Sequence, residues 1–159
     1  METEEYLLKL ERNLMIGGGR WVADFTESFR EHKIGGVTFG MVVRGNTRGK
    51  GFLLSRLVNF FLLPNYLVAC FVYPAKEMKK KTLDRLLKAM ESYMEDNNLT
   101  WSWLVIPKEG PFSKESKRVV ERIAQREIGI ALVDLNSQEI TTNRSSLGRR
   151  LPRYIRCFR

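Results

Sequence analysis

YLVACFVY (66–73) is an almost uninterrupted apolar run, preceded by Pro64 and closed by Pro74. A strand covered on both faces has no reason to alternate, so this run reads as the centre of a sheet. The period changes immediately after it. KEMKKKTLDRLLKAMESYMED (76–96) sets Met78, Leu83, Leu86, Leu87, Met90 and Met94 on one stripe with lysines opposite, which predicts a helix over 77–96. WSWLVIP (101–107) reads as a second strand. Ser113 is placed to cap a helix running to about Arg126, with Val119, Val120 and Ile123 inward. IGIALVDL (128–135) is a third strand, Asn136-Ser137 supplies a turn, and EITTN (139–143) is its hairpin partner. Strands alternating with helices imply parallel pairing, hence an α/β fold. The expectation is a single three-layer sandwich, a mixed central sheet flanked by helices, with antiparallel strands at one or both edges.

Upstream, Leu7, Leu10 and Leu14 recur at helical spacing beside Tyr6, predicting a helix over 3–15 that Gly17-Gly18-Gly19 stops. Residues 21–31 suit a second short helix with Asp24, Glu27 and Glu31 on one side. VTFGMVV (37–43), after Gly35-Gly36, is rich in β-branched and aromatic residues and reads as a strand. RGNTRGKG (44–51) reads as a basic loop. FLLSRLVNFFLL (52–63) is apolar nearly all round, so as a helix it is buried or faces a partner. No repeat or linker divides the chain, and residues 1–159 are expected to form one domain.

Composition narrows the functional classes. At 43% hydrophobic and 28% charged, the chain has the make-up of an ordered globular protein rather than a disordered one. The acidic N-terminus lacks the order of a signal peptide. The longest apolar stretch, Phe52 to Val72, is interrupted by Ser55, Arg56, Asn59, Pro64 and Asn65, which argues against a spanning helix. Two cysteines, Cys70 and Cys157, and the single His32 cannot assemble a zinc set, so two thiols in a reducing cytoplasm is the expectation. No cofactor is called for.

Charge is the most informative functional signal. Residues 44–56 carry Arg44, Arg48, Lys50 and Arg56, and residues 141–159 carry Arg144, Arg149, Arg150, Arg153, Arg156 and Arg159, neither with an acid. These stretches hold +4 and +6 of the formal +9, leaving −1 for everything else. Such concentration points to a polyanionic partner, DNA or RNA. The glycine-rich 44–51 stretch is one residue too short for a nucleotide P-loop, and Gly51 stands where the hydroxyl belongs. In the C-terminal segment 144–159, a basic helix broken at Pro152 or a tail, arginine forks suit phosphate and Tyr154 suits stacking on an unpaired base. An amphipathic helix on an anionic membrane and a core-sealing segment with solvated arginines compete with that picture. Lys76, Lys79, Lys80 and Lys81 form a smaller cluster against the helix dipole. Trp101 and Trp103 share one strand face, where core packing is the default and a stacking platform the alternative. His32 reads as an ordinary surface residue.

The order YLVACFVY, long helix, WSWLVIP, helix SKESKRVVERIAQRE, then GIALVDL with a hairpin return resembles the back half of the restriction-endonuclease-like (PD-(D/E)xK) superfamily. The resemblance covers about half the chain and rests on a pattern of elements. It implies an acid on one strand and an acid-x-lysine on the next, holding Mg²⁺ through hard oxygen ligands. VTFGMVV carries no acid, and Cys70 and Val72 stand where acid and lysine belong, so the resemblance implies a non-cleaving copy with no catalytic residue. Under a shifted alignment Asp24, Glu27 or Asp134 become metal ligands. Three expectations follow: a non-catalytic nucleic-acid-binding domain, a homodimeric interaction subunit using residues 52–63, or a divergent metal-dependent nuclease.

Overall fold

The computed structural model describes residues 1–47 and 66–158. Helix α1 (Thr3–Met15) leads through a 3-10 turn (Gly18–Trp21) into a long hairpin, β1 (Asp24–Ile34) and β2 (Val37–Thr47). β3 (Tyr66–Val72), α2 (Lys80–Asp96), β4 (Leu99–Lys108), α3 (Lys114–Glu121) and β5 (Ile128–Asp134) follow. β6 (Ile140–Thr142) and two short helices, α4 (Ser146–Arg150) and α5 (Pro152–Ile155), complete the described chain. The six strands form one mixed sheet in sequential order. β3, β4 and β5 are parallel, while β1, β2 and β6 join antiparallel at the two edges. The α/β class and the edge strands expected from the sequence are present.

The apolar run at 66–73 lies where its pattern demands. Ala69 and Phe71 face the layer that holds α2 and α3, together with Val42, Leu104 and Ile130. Val68, Cys70 and Val72 face the layer that holds α1, α4 and α5, together with Met41, Trp103 and Ala131. From Val68 to Val72 both faces of the strand are therefore dry, while Leu67 is exposed at its start. Each fully buried aliphatic side chain contributes about 1.5–3 kcal/mol against its exposed state.

Residues 21–31 are not a helix. Asp24–Ile34 is a strand at the sheet edge, hydrogen-bonded only to β2, with Phe25 and Ile34 buried and most of its other side chains exposed or half-buried. An edge strand keeps charge on its open side, which erases the apolar alternation that would have revealed it. Gly35 and Gly36, at φ 53° and 76°, form the two-residue turn that closes the hairpin. That backbone matches the twist of paired strands and requires positive φ at both positions. β2 also continues four residues past the expected strand, so Arg44 to Thr47 belong to the sheet rather than to a loop. The apolar 52–63 segment lies outside the described residues.

Candidate functional site

The C-terminal segment is pinned in place before it offers any charge. Leu151 and Ile155 are completely buried in the α1-side core. The Tyr6 hydroxyl donates to the Ile155 carbonyl at 2.9 Å, and Asn13 Nδ2 donates to the Tyr154 carbonyl at 2.6 Å. Burial pushes the Tyr6 phenol well above its ordinary pKa, so it stays a donor. Tyr6 and Phe158 stack at 6.2 Å.

The start of the segment is held by Asn143, which is 1% exposed. Its Oδ1 accepts from the Ile130 N–H at 2.9 Å, and its Nδ2 donates to the Ile128 carbonyl at 3.1 Å. Ser145 caps α4 by accepting from the Gly148 N–H at 2.9 Å. Pro152 opens α5, where its missing N–H is not needed.

On this frame Arg144, Arg149, Arg150, Arg153 and Arg156 are all exposed. None has an acidic partner among the described residues. Other cations of the fold are engaged: Arg30 with Glu11 at 2.6 Å, Lys108 with Glu77 at 2.7 Å, and Lys117 with Glu139 at 2.6 Å. The apolar side of the segment is spent on the core.

Arg44 differs from these C-terminal arginines. Its guanidinium binds Glu27 at 2.6 Å, the Tyr93 hydroxyl at 3.2 Å and Asn97 Oδ1 at 3.0 Å, and it lies over the Phe29 ring at 5.2 Å. Burial opposes its charge, but hydrogen bonding to Glu27 and the proximity of Tyr93 outweigh that and raise its pKa. Arg44 faces α2, on the opposite side of the sheet from α4 and α5, so it does not extend their surface. Thr47, three residues on, lines a depression together with Arg150 and Tyr154. Arg48, Lys50 and Arg56 lie outside the described residues.

Two depressions flank the C-terminal segment. The larger, about 860 Å³, lies between α1 and residues 156–158 and is lined by Lys9, Arg12, Arg156, Asn13 and Phe158 among others, with no acid among the described residues. The smaller, about 300 Å³, is walled by Trp21, Trp101, Trp103 and Tyr154, with Arg150 and Thr47 also lining it. Trp101 and Trp103 sit 5.1 Å apart, and Trp103 stacks on Tyr154 at 5.6 Å and 19°. Trp103 is thus core, as the default reading holds, whereas Trp101 is half-buried and Trp21 is 74% exposed. Sequence reading singled out neither Lys9, Arg12 nor Trp21. Their only signal was a basic residue and a tryptophan beside a glycine break.

The carboxylates that a shifted alignment enlists do not converge. Asp24 and Glu27 stand at the sheet end where β3, β4 and β5 begin, while Asp134 stands where β5 finishes. Asp134 accepts from the Asn136 and Ser137 N–H groups at 2.8 and 3.1 Å and from the Ser137 hydroxyl at 2.6 Å, closing the turn into β6. Desolvation opposes its ionisation, yet these hydrogen bonds hold its pKa below the ordinary value. No group of three or more metal-binding side chains occurs among the described residues. Cys70 and Val72 are fully buried. His32 is half-buried between Phe29 and Tyr93, with ring centroids at 5.2 and 5.9 Å. Among the described residues no helix is long and apolar enough to cross a membrane. Comparison with known protein families, curated proteins and solved structures finds no match to this chain.

Proposed function

We propose that this chain is a non-catalytic nucleic-acid-binding α/β domain that contacts phosphates through its C-terminal arginines, with the 44–56 stretch contributing Arg48, Lys50 and Arg56. The observation that carries the reading is the set of five exposed arginines, without acidic partners among the described residues, on a segment anchored by Tyr6, Asn13 and Asn143. Free guanidinium groups on a rigid base grip phosphate oxygens in pairs and lose little entropy in doing so. Lys9 and Arg12, beside Arg156, extend the positive surface onto α1. Because Leu151 and Ile155 are spent on the core, the segment has little apolar surface left to lay on a bilayer, which favours nucleic acid over a membrane. The run of parallel β3, β4 and β5 with helices between them, followed by an antiparallel β6, supports a restriction-endonuclease-like arrangement without the catalytic acids.

The test is the salt dependence of binding. Affinity for a fluorescently labelled oligonucleotide, followed by anisotropy from 50 to 200 mM salt, should fall with a log–log slope of about −0.7 to −0.9 per phosphate engaged. Five engaged arginines give roughly a 100- to 500-fold loss over that range. Replacing Arg149, Arg153 or Arg156 by alanine should each shallow the slope by about one contact. A flat dependence for the unmodified protein overturns the reading.

A further inference from the structure

We infer that the depression walled by Trp21, Trp101, Trp103 and Tyr154 takes one unstacked nucleobase, with Arg150 holding the adjoining phosphate. This rests on the reading of the C-terminal arginines as a phosphate-contacting surface, and it specifies that the strand is single or locally opened. Four aromatic side chains line a space of about 300 Å³, at the small end of the range for ligand pockets. A planar aromatic ligand gains most from such walls, because every base presents a π-face to them.

The accessible part of these walls is Trp21, Trp101 and Tyr154, since Trp103 is 1% exposed and stacks on Tyr154 behind them. Arg150 is exposed, without an acidic partner among the described residues, and lines the same space. No acid among the described residues lines it, so a cationic ligand meets repulsion and an anionic one attraction.

Polarity thus runs from aromatic walls to a cationic side chain. A nucleotide has that polarity, base first and phosphate outward. Within a duplex both faces of each base are already stacked, so the pocket discriminates against intact double helix.

The experiment compares a 12-residue oligothymidylate with an abasic 12-residue strand that keeps every phosphate and lacks the bases. The intact strand should bind about tenfold tighter than the abasic one and quench tryptophan fluorescence, with the abasic strand leaving fluorescence unchanged. Equal affinity for the two strands overturns the base pocket while leaving the phosphate surface standing. Failure of both strands to bind overturns the underlying reading as well. Trp101→Leu should remove the advantage of the intact strand and leave abasic affinity unaltered, whereas Arg150→Ala should weaken both. An unchanged advantage in folded Trp101→Leu counts against the pocket. Where that variant does not fold, the two-strand comparison on the unmodified protein decides. Thymidine monophosphate at millimolar concentration should compete only weakly. Competition as strong as that of the strand would keep the pocket but assign it to a free nucleotide.

Discussion

Substituting Gly148 by alanine sets two principles against each other. In a helix interior, Gly→Ala normally gains about 1 kcal/mol from backbone entropy. Here α4 approaches its own lead-in so closely that a Cβ at 148 would lie 2.0 Å from Asn143 Oδ1 and 2.5 Å from the Asn143 carbonyl oxygen. Neither atom belongs to a flexible chain end. Asn143 is buried, and its Oδ1 is held by the Ile130 N–H at 2.9 Å. Making room either displaces α4 from β5, where Gly129 already abuts Leu147 and Gly148, or breaks that hydrogen bond. Overpacking costs about 1–3 kcal/mol, and an orphaned buried N–H costs about another 1–3. With both costs incurred and the helix-propensity gain subtracted, the net loss is about 1–5 kcal/mol. For a chain of this size that lowers the melting temperature by roughly 2–20 °C. Far-UV circular dichroism melts and urea unfolding followed by tryptophan fluorescence both measure it. Gly18→Ala, with its nearest non-neighbouring atom at 3.6 Å, serves as the control and should stay within about 1 kcal/mol of the parent. A Gly148→Ala protein as stable as the parent, or more so, would refute the argument that backbone contact fixes the arginine-bearing helix.

Arg44→Ala should destabilise by about 1–2 kcal/mol in urea unfolding, through loss of the Glu27, Tyr93 and Asn97 contacts, yet leave oligonucleotide affinity within about twofold. A large loss of affinity in a folded Arg44→Ala protein would return this residue to the binding surface. The hydrogen bond from Lys108, joined by Ser116, holds Glu77 down to about 2 from an ordinary 4.5. A depressed carboxylate contributes stability above its unfolded pKa and loses it as pH falls through the folded one. The urea midpoint should therefore decline between about pH 4.5 and 2, and Glu77→Gln should flatten part of that decline. Cys157 is pushed up to about 11 by burial, and burial raises Cys70 further still. Both thiols should label slowly with a disulfide reagent at pH 8 in the native protein and rapidly in denaturant.

The parallel half of the fold was legible because burial on both faces leaves a nearly unbroken apolar run, and YLVACFVY and IGIALVDL are apolar throughout but for Asp134. α1 matched its expected span because Leu7, Leu10 and Leu14 all meet one core. The β1 edge was misread for the converse reason. DFTESFREHKI has few side chains to bury and meets water along one side, so its sequence records solvent rather than pairing. The split of charge was visible in sequence, but its meaning for Arg44 was not. An arginine consumed by Glu27 and one left open look alike until the strand register brings Glu27 opposite it. The aromatic depression was half legible. Trp101, Trp103 and Tyr154 were singled out, yet only the tertiary contact of β4 with α5 brings them together, and Trp21 arrives from a turn with no periodic signature.

The clasp between Tyr6 and Ile155 joins residues 149 positions apart, and that between Asn13 and Tyr154 joins residues 141 apart. Contacts of such sequence separation are entropically the last to be worth making. During synthesis, α1 can pack on the sheet early, but the part of it that meets Leu151 and Ile155 stays uncovered until those residues emerge. The arginine surface and the tryptophan-walled depression thus come into being together, at the end of folding rather than during it. In refolding from urea, the Trp103–Tyr154 stack should report through fluorescence later than the helices report through circular dichroism. A nascent chain that already bound oligonucleotide before residue 151 was made would contradict that order.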